Sequence, residues 1–368
     1  MFLRFASALA ILTVAGGGAS GANYTVTVLQ DVGGQGNSEA LGINASGQIV
    51  GYSNTAGGVD AVLWSSAGAG KALPDVGGQG SSVANAINAS GQIVGYSNTV
   101  GGFDAVLWPS SGNAVVLTDL GGHGGSEAYW INASGQIVGF SNTAGGSDAV
   151  LWSSAGAGAA LQDVGGKGGS TAFGINDSGQ SVGQSTTASG YEAVLWSSTG
   201  TGKALQDVGG QGNSLAWMNN ASGQIVGYSK TASGQDAVLW SSTGAGEALQ
   251  DVGGDGYSVA FAINDSGQSV GLSSTASGTT EAVLWSSTSV GTNLADVLGA
   301  DWTNTQASGI NDQGDIIGYG SYLGSTDTGF LLTLTVPEPS TWVMMLVGFA
   351  GLGFAGCRAR RWTPLPAA

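Results

Sequence analysis

Cysteine, histidine and arginine are almost missing from this chain, and each shortage closes a class of function. The single cysteine among 368 residues is Cys357, near the C-terminus, so residues 23–336 hold no thiol and no disulfide framework. Their stability must come from packing and strand pairing. The single histidine, His123, fills a slot held elsewhere by Gln35, Gln79, Lys167, Gln211 and Asp255, which leaves a Ser-His-Asp or zinc site without a second histidine. Arginine is confined to the ends, at Arg4, Arg358, Arg360 and Arg361. Between residues 23 and 336 the bases are Lys71, Lys167, Lys203 and Lys230, against 23 acidic residues, a net charge of about −19. A nucleic-acid groove or an anionic-lipid patch needs cations to displace counterions, so neither fits; cations, neutral glycans or basic partners do. A helical period is also missing throughout this stretch.

Glycine is abundant, at 68 residues, but 42% hydrophobic content and 11 tryptophans supply enough apolar surface for a core, so the glycines read as turns. They recur with a period. Asp31, Asp75, Asp119, Asp163, Asp207 and Asp251 stand 44 residues apart, with Asp296 one residue late. Asn44, Asn88, Asn132, Asn176, Asn220 and Asn264 keep the same step before Asn311, and Trp64, Trp108, Trp152, Trp196, Trp240 and Trp285 mark a third register. A fixed period of this size signals a propeller or a solenoid. Each unit is written in four strand-sized apolar runs, in the second copy 82–88, 92–97, 105–108 and 115–120, separated by hairpin-sized turns. The chain opens with a lone run, 24–32, equivalent to the last strand of a unit, and ends with 305–311, 315–321 and 329–336, a unit lacking that strand. Pairing the two completes seven units and removes two exposed edges, which a solenoid would not need. The expected fold is all-β: a seven-bladed β-propeller of ~44-residue, four-stranded repeats closed by the N-terminal strand.

The ends read as addresses. Residues 1–22 form a signal peptide, with Arg4, an apolar run from Phe5 to Ala15, and small residues leading to cleavage after Ala22 by signal peptidase. At the other end Pro337, Glu338 and Pro339 precede an apolar stretch to Gly356, then Arg358, Arg360 and Arg361. Nineteen uncharged residues separate Glu338 from Arg358, close to the ~20 that cross a bilayer as a helix. The arginines would stop it on the cytoplasmic side. The expected division is therefore signal peptide 1–22, repeats 23–336, sorting segment with a single transmembrane helix 337–361, and a short tail 362–368.

This C-terminal pattern resembles the PEP-CTERM sorting signal, whose tail is recognised by exosortase in bacteria that make exopolysaccharide. Trp362 to Ala368 extend past the arginines, where such tails usually stop. The repeats resemble the HAF family of extracellular repeats: Ile43-Asn44 and Gly47-Gln48-Ile49-Val50-Gly51 match its first part, while Asp60-Ala61-Val62-Leu63-Trp64 puts Asp and Val where that family has His and Phe. The resemblance implies an extracellular place and no established reaction.

For chemistry, the repeated tryptophans read as packing residues, with carbohydrate stacking as the rival. Glu39 and Glu127 break the repeat where other units have Val83, Thr171, Leu215, Val259 or Gln306, and would be a glycosidase pair if one existed. The absence of arginine excludes the three-Arg carboxylate clamp of sialidase-type propellers. Asp31, Asp75 and Asp119, before Gly-Gly corners, are weak Ca²⁺ candidates, since turn amides normally satisfy such a residue. Six of the repeated asparagines open Asn-x-Ser sequons, which their place at a tight turn explains without glycosylation. Variation between copies gives a ligand face through Phe103, Tyr191, Tyr129 and Trp217, with blade packing as the alternative for the last two. The expectation is a non-enzymatic, envelope-sorted binding or structural component of the cell surface or exopolysaccharide matrix, briefly anchored in the inner membrane. Against it stand a carbohydrate-active enzyme, glycosidase or lyase, and a protein-binding adhesin.

Overall fold

A computed structural model describes residues 23–335, Gln79 and His123 excepted. The signal peptide with its cleavage site, and the tail containing Pro337, Glu338, Pro339 and the expected membrane helix, lie outside the described residues. Among the described residues no helix is long and apolar enough to cross a membrane.

The architecture follows from the repeat. Unit 1 consists of strands Ser38–Ile43, Ile49–Thr55, Gly58–Trp64 and Gly70–Ala72, paired antiparallel in that order. The same four-stranded order recurs along the chain, and in one place two units are joined through a parallel bridge between Gln235 and Tyr257. In unit 7, Trp302–Ile310, Ile316–Tyr322 and Ser325–Thr335 take the N-terminal strand Asn23–Val28 as their fourth, from Asn23 opposite Thr335 to Val28 opposite Phe330. The arrangement is β-propeller-like.

Two details depart from the sequence reading. The fourth strand of units 1 to 6 is short, two or three residues: in unit 2 it is Val115–Val116, not 115–120. After one more bond to its own sheet, from Leu117 N to Ala105 O at 2.8 Å, the chain turns to the next unit, with Thr118 N bound to Gly156 O at 3.1 Å. Secondly, Ala295–Leu298 is a single helical turn, started by Asn293 Oδ1 on the Ala295 amide at 2.8 Å. Asp296 lies in that turn; its one-residue delay comes from upstream, where the hairpin between Ser274 and Thr280 is longer than its counterparts and Trp285 is already one residue late.

The core sits between sheets. Alternation along the second and third strands buries both faces of each sheet, one against the preceding unit and one against the following, as in the cluster Val50, Ala61, Ala84, Ile87, Ile93, Val106 and Trp108 shared by units 1 and 2. Another cluster joins Ile317 and Leu331 of unit 7 to Ile43, Ile49 and Trp64 of unit 1. The tryptophans of units 1 to 6 are 0–3% exposed, and Leu332 stands fully buried in the equivalent place in unit 7. Each indole N–H crosses to the preceding corner, as Trp64 Nε1 to Gln30 O at 2.8 Å and Trp196 Nε1 to Gln162 O at 2.7 Å. A buried, hydrogen-bonded indole is a packing element and offers no stacking face.

Candidate functional site

The units present two ends, and each is built by a repeated turn. At one end lies Asn-Ala/Asp-Ser-Gly. Gly47, with φ +71°, lets the chain reverse so that its amide reaches Asn44 O at 3.0 Å. Asn44 Oδ1 accepts from the Ser46 and Gln48 amides, both at 3.0 Å. Its Nδ2 then donates to the Asn88 carbonyl of the next unit, and the same bond runs from 88 to 132, 176, 220, 264 and 311 at 3.0–3.2 Å. Asn311 Nδ2 returns to Asn44 O at 3.3 Å. These side chains are 3–6% exposed and fully occupied, so the sequons hold no room for a glycan.

Inside this ring lies a cavity of about 220 Å³. Trp130 closes its floor: the indole packs on clusters of units 2 and 3, of units 3 and 4, and of units 5 and 6, which only a side chain near the common axis can reach. Of the equivalent residues, Gly42, Ala86, Gly174, Ala262 and Gly309 are small and leave it space, while Met218 is large and packs in the cluster of units 5 and 6. Asp177, Asp265 and Asp312 rim the cavity, and each caps an amide of the preceding unit: Ala133 N at 2.9 Å, Ala221 N at 2.8 Å and Asp265 N at 2.9 Å.

At the other end lie the Asp-Val-Gly-Gly corners. Asp31 takes the Gly33 and Gly34 amides and Ser53 Oγ on one oxygen, at 3.1, 3.0 and 2.7 Å, and the Gly36 amide on the other at 2.6 Å. Asp75 is held likewise by the Gly80 amide at 3.0 Å and by Ser97. Asp119 keeps one buried oxygen without a partner among the described residues. Each corner contributes one carboxylate, and among the described residues no three His, Cys, Asp or Glu side chains gather for a metal. Burial works against ionisation at Asp163, but the Ser185 hydroxyl and the Gly168, Gly166 and Gly165 amides outweigh it and hold this carboxyl below its ordinary value. Asp207 and Asp251 behave alike.

Within the same end, two junctions between units differ from the rest. Glu39 lies at the junction of units 1 and 7, where it accepts from the phenols of Tyr52, in its own unit, and Tyr319, in unit 7, and lies near Asp327. Glu127 leans from unit 3 toward unit 2: Asn85 Nδ2 donates to one oxygen at 2.9 Å and Tyr129 Oη to the other at 3.0 Å. Desolvation raises both carboxyls above their ordinary value; Asp327 adds to this at Glu39, while the phenols and the amide oppose it. The same burial, together with the carboxylates, pushes the phenols of Tyr52, Tyr129 and Tyr319 upward. The strand carrying each glutamate bulges one residue later, and this needs glycine opposite: a Cβ on Gly51 or Gly139 would sit 1.8 Å from the Glu39 or Glu127 carbonyl oxygen.

Aromatic rings surround the second junction. Phe103 meets Tyr96 and Phe140 at centroid distances of 5.9 and 6.1 Å, Phe140 meets Tyr129 at 6.1 Å, and the line continues through Phe173 and Trp217 to Phe261 at 5.0, 4.5 and 5.8 Å. Three of the four ligand-face residues read from the sequence, Phe103, Tyr129 and Trp217, thus belong to one aromatic line. Tyr191 stands apart, its hydroxyl 2.9 Å from that of Tyr228. Tyr129 and Trp217 pack between units, as the blade-packing reading of these positions expects. Glu39 and Glu127 occupy separate clusters and share no partner.

Tyr96, Tyr52, Tyr319 and Asp327 escaped sequence reasoning as site residues. The signal was available for three of them: the position opposite Glu39 in the second strand reads Tyr52, Tyr96, Phe140, Gln184, Tyr228, Leu272 and Tyr319, a set richer in tyrosine than any core position.

With this geometry in view, three comparisons can be stated. Residues 335–361 match the PEP-CTERM protein-sorting motif, which marks a chain for export, envelope sorting and exosortase processing. No curated protein matches the chain in sequence. Among solved structures, virginiamycin B lyase from Staphylococcus aureus is similar at TM-score 0.60 and 11% identity, over 85% of this chain and 99% of that one. A streptogramin B lyase is similar at TM-score 0.56 and 9% identity, over 85% and 98%. YCF48 bound to D1 peptide is similar at TM-score 0.53 and 11% identity, over 89% and 100%. At these identities the likeness is one of fold: the described residues are β-propeller-like, and the chain carries a PEP-CTERM sorting motif at residues 335–361.

Proposed function

We propose that the chain is a seven-bladed propeller of HAF-type repeats, sealed by strand Asn23–Val28, that serves as a non-enzymatic binding component of the cell surface or exopolysaccharide matrix after exosortase acts on its tail. The return of the asparagine ladder from Asn311 to Asn44 supports a closed ring. The sorting motif supports the place. Binding rather than turnover rests on one observation: Glu39 and Glu127 stand in separate junctions, each engaged by its own hydrogen-bond donors, and among the described residues neither has a lysine partner. A glycosidase needs two carboxyls flanking one bond, about 5–10 Å apart.

Location tests the reading. In cells with exosortase the protein should leave the inner membrane and lose mass from its tail; without the enzyme it should remain membrane-bound and uncleaved. Unchanged location and size in the two strains sinks the sorting claim. Product released from purified exopolysaccharide, and abolished by Glu39→Gln or Glu127→Gln, would replace binding with catalysis.

A further inference from the structure

Both ends of the described chain leave at the asparagine end. Strand Ser325–Thr335 runs toward it, since Leu332 pairs with Ile316 beside the Asn311 turn, and Asn23 pairs with Thr335. The sorting motif begins at residue 335, so no linker separates it from the last strand. Any tether therefore lies on the asparagine side, and the corner side with Glu39 and Glu127 stays open.

That open side has an unbalanced chemistry. Two half-buried carboxylates, with Asp327 beside one, are surrounded by phenols, an amide and ring faces, with no lysine among their partners. An anion withdrawn from water without a counter-charge weakens a fold, and five units avoid the cost with Val83, Thr171, Leu215, Val259 or Gln306. Aromatic faces beside carboxylates are the surroundings in which ammonium groups bind, through cation–π and ionic attraction together. The net charge of about −19 draws polycations and repels uronates.

We propose that the corner face binds a glycan carrying free amino groups, its ammonium groups seated at the junctions of Glu39 and Glu127 against the surrounding rings. Tyr96, Phe103 and Phe140, part-buried and packed edge-on beside Glu127, would flank the sugar ring, and the phenol oxygens would accept from its hydroxyls. This rests on the binding role proposed above and names its ligand.

The test is calorimetry on the full chain in detergent, with three probes of matched length: glucosamine oligomers, their fully N-acetylated counterparts, and lysine oligomers. Glucosamine oligomers should bind, N-acetylated ones at least about tenfold more weakly, and Glu39→Gln and Glu127→Gln should each cost about tenfold, the worth of one charge-assisted contact. Asp177→Asn, on the asparagine side, should change nothing, and thermal melts verify that each variant is folded. Equal binding of the N-acetylated chain, tighter binding of lysine oligomers, indifference to both glutamine variants, or no binding at all overturns the proposal. Sorting is read separately by location: glucosamine binding without exosortase-dependent sorting keeps this site and removes the address, and the reverse result does the opposite.

Discussion

At the residue scale the carboxylates divide into two kinds with opposite pH behaviour. Asp163, Asp207 and Asp251 are held below their ordinary values by amides and hydroxyls. Their contribution is fully present above the unfolded aspartate value of about 3.9 and is lost as pH falls through the depressed folded value. Asp207→Ala leaves the Gly210 and Gly212 amides and Ser229 without their acceptor and should lower stability by about 1–2 kcal/mol at neutral pH, read by urea unfolding. Glu127 is the reverse case. Its folded carboxyl is raised, so the folded state keeps its proton to higher pH, and ionisation above that range weakens the fold. Glu127→Gln should melt higher than the parent at neutral pH, with the difference closing as pH falls below the unfolded glutamate value of about 4.3. A variant that gains stability while losing ligand is the mark of a residue kept for binding. Ser181 is a third case: its hydroxyl is buried and unpartnered where five other units have isoleucine, so Ser181→Ala should raise the melting temperature.

At the scale of the strand, each unit depends on its tryptophan and on one glycine. Trp196→Ala removes a fully buried indole and its bond to Gln162 O, and should cost about 3–5 kcal/mol. Trp196→Phe keeps most of the area and should cost less, and chemical denaturation separates the two. Gly139→Ala meets backbone rather than a movable side chain, so the bulge that presents Glu127 cannot persist. Its readout is loss of the Glu127-dependent binding along with stability. The packing role of the tryptophans was legible from their period and from Leu332 in the last unit. The carboxylate junctions were half legible: Glu39 and Glu127 stood out as breaks in a repeat, but the tyrosines and Asn85 around them come from neighbouring strands and the neighbouring unit, and no local spacing brings them together.

At the scale of the whole molecule the N-terminal strand carries a disproportionate share. Its residues pair along Ser325–Thr335 from Asn23 to Val28, and Leu29 fills the cluster between the last unit and the first. Removing residues 23–29 should bare the edge of unit 7, replace a single cooperative melt with a broad one and promote association, as calorimetry and size-exclusion chromatography would show. An open stack of repeats would lose only its terminal unit's share. The comparison with the parent therefore reads ring closure directly.

The sequence by itself determined the period, the four strands in each unit, the burial of the tryptophans, the place of an aspartate at each corner turn and the pairing of the first strand with the last unit. All of these repeat or alternate along the chain, and periodicity is the signal that short-range physics writes into order of residues. The tertiary structure alone decided where the departures from the repeat meet. Trp130 fills the axis because five other units put small residues there, the asparagines form a ring because each reaches a carbonyl most often 44 residues away, and Glu127 finds Asn85 across a junction. Such contacts depend on how sheets are placed around an axis, which the order of residues within one unit does not contain. Only that placement turned two isolated glutamates into two aromatic-walled junctions on the face opposite the chain ends.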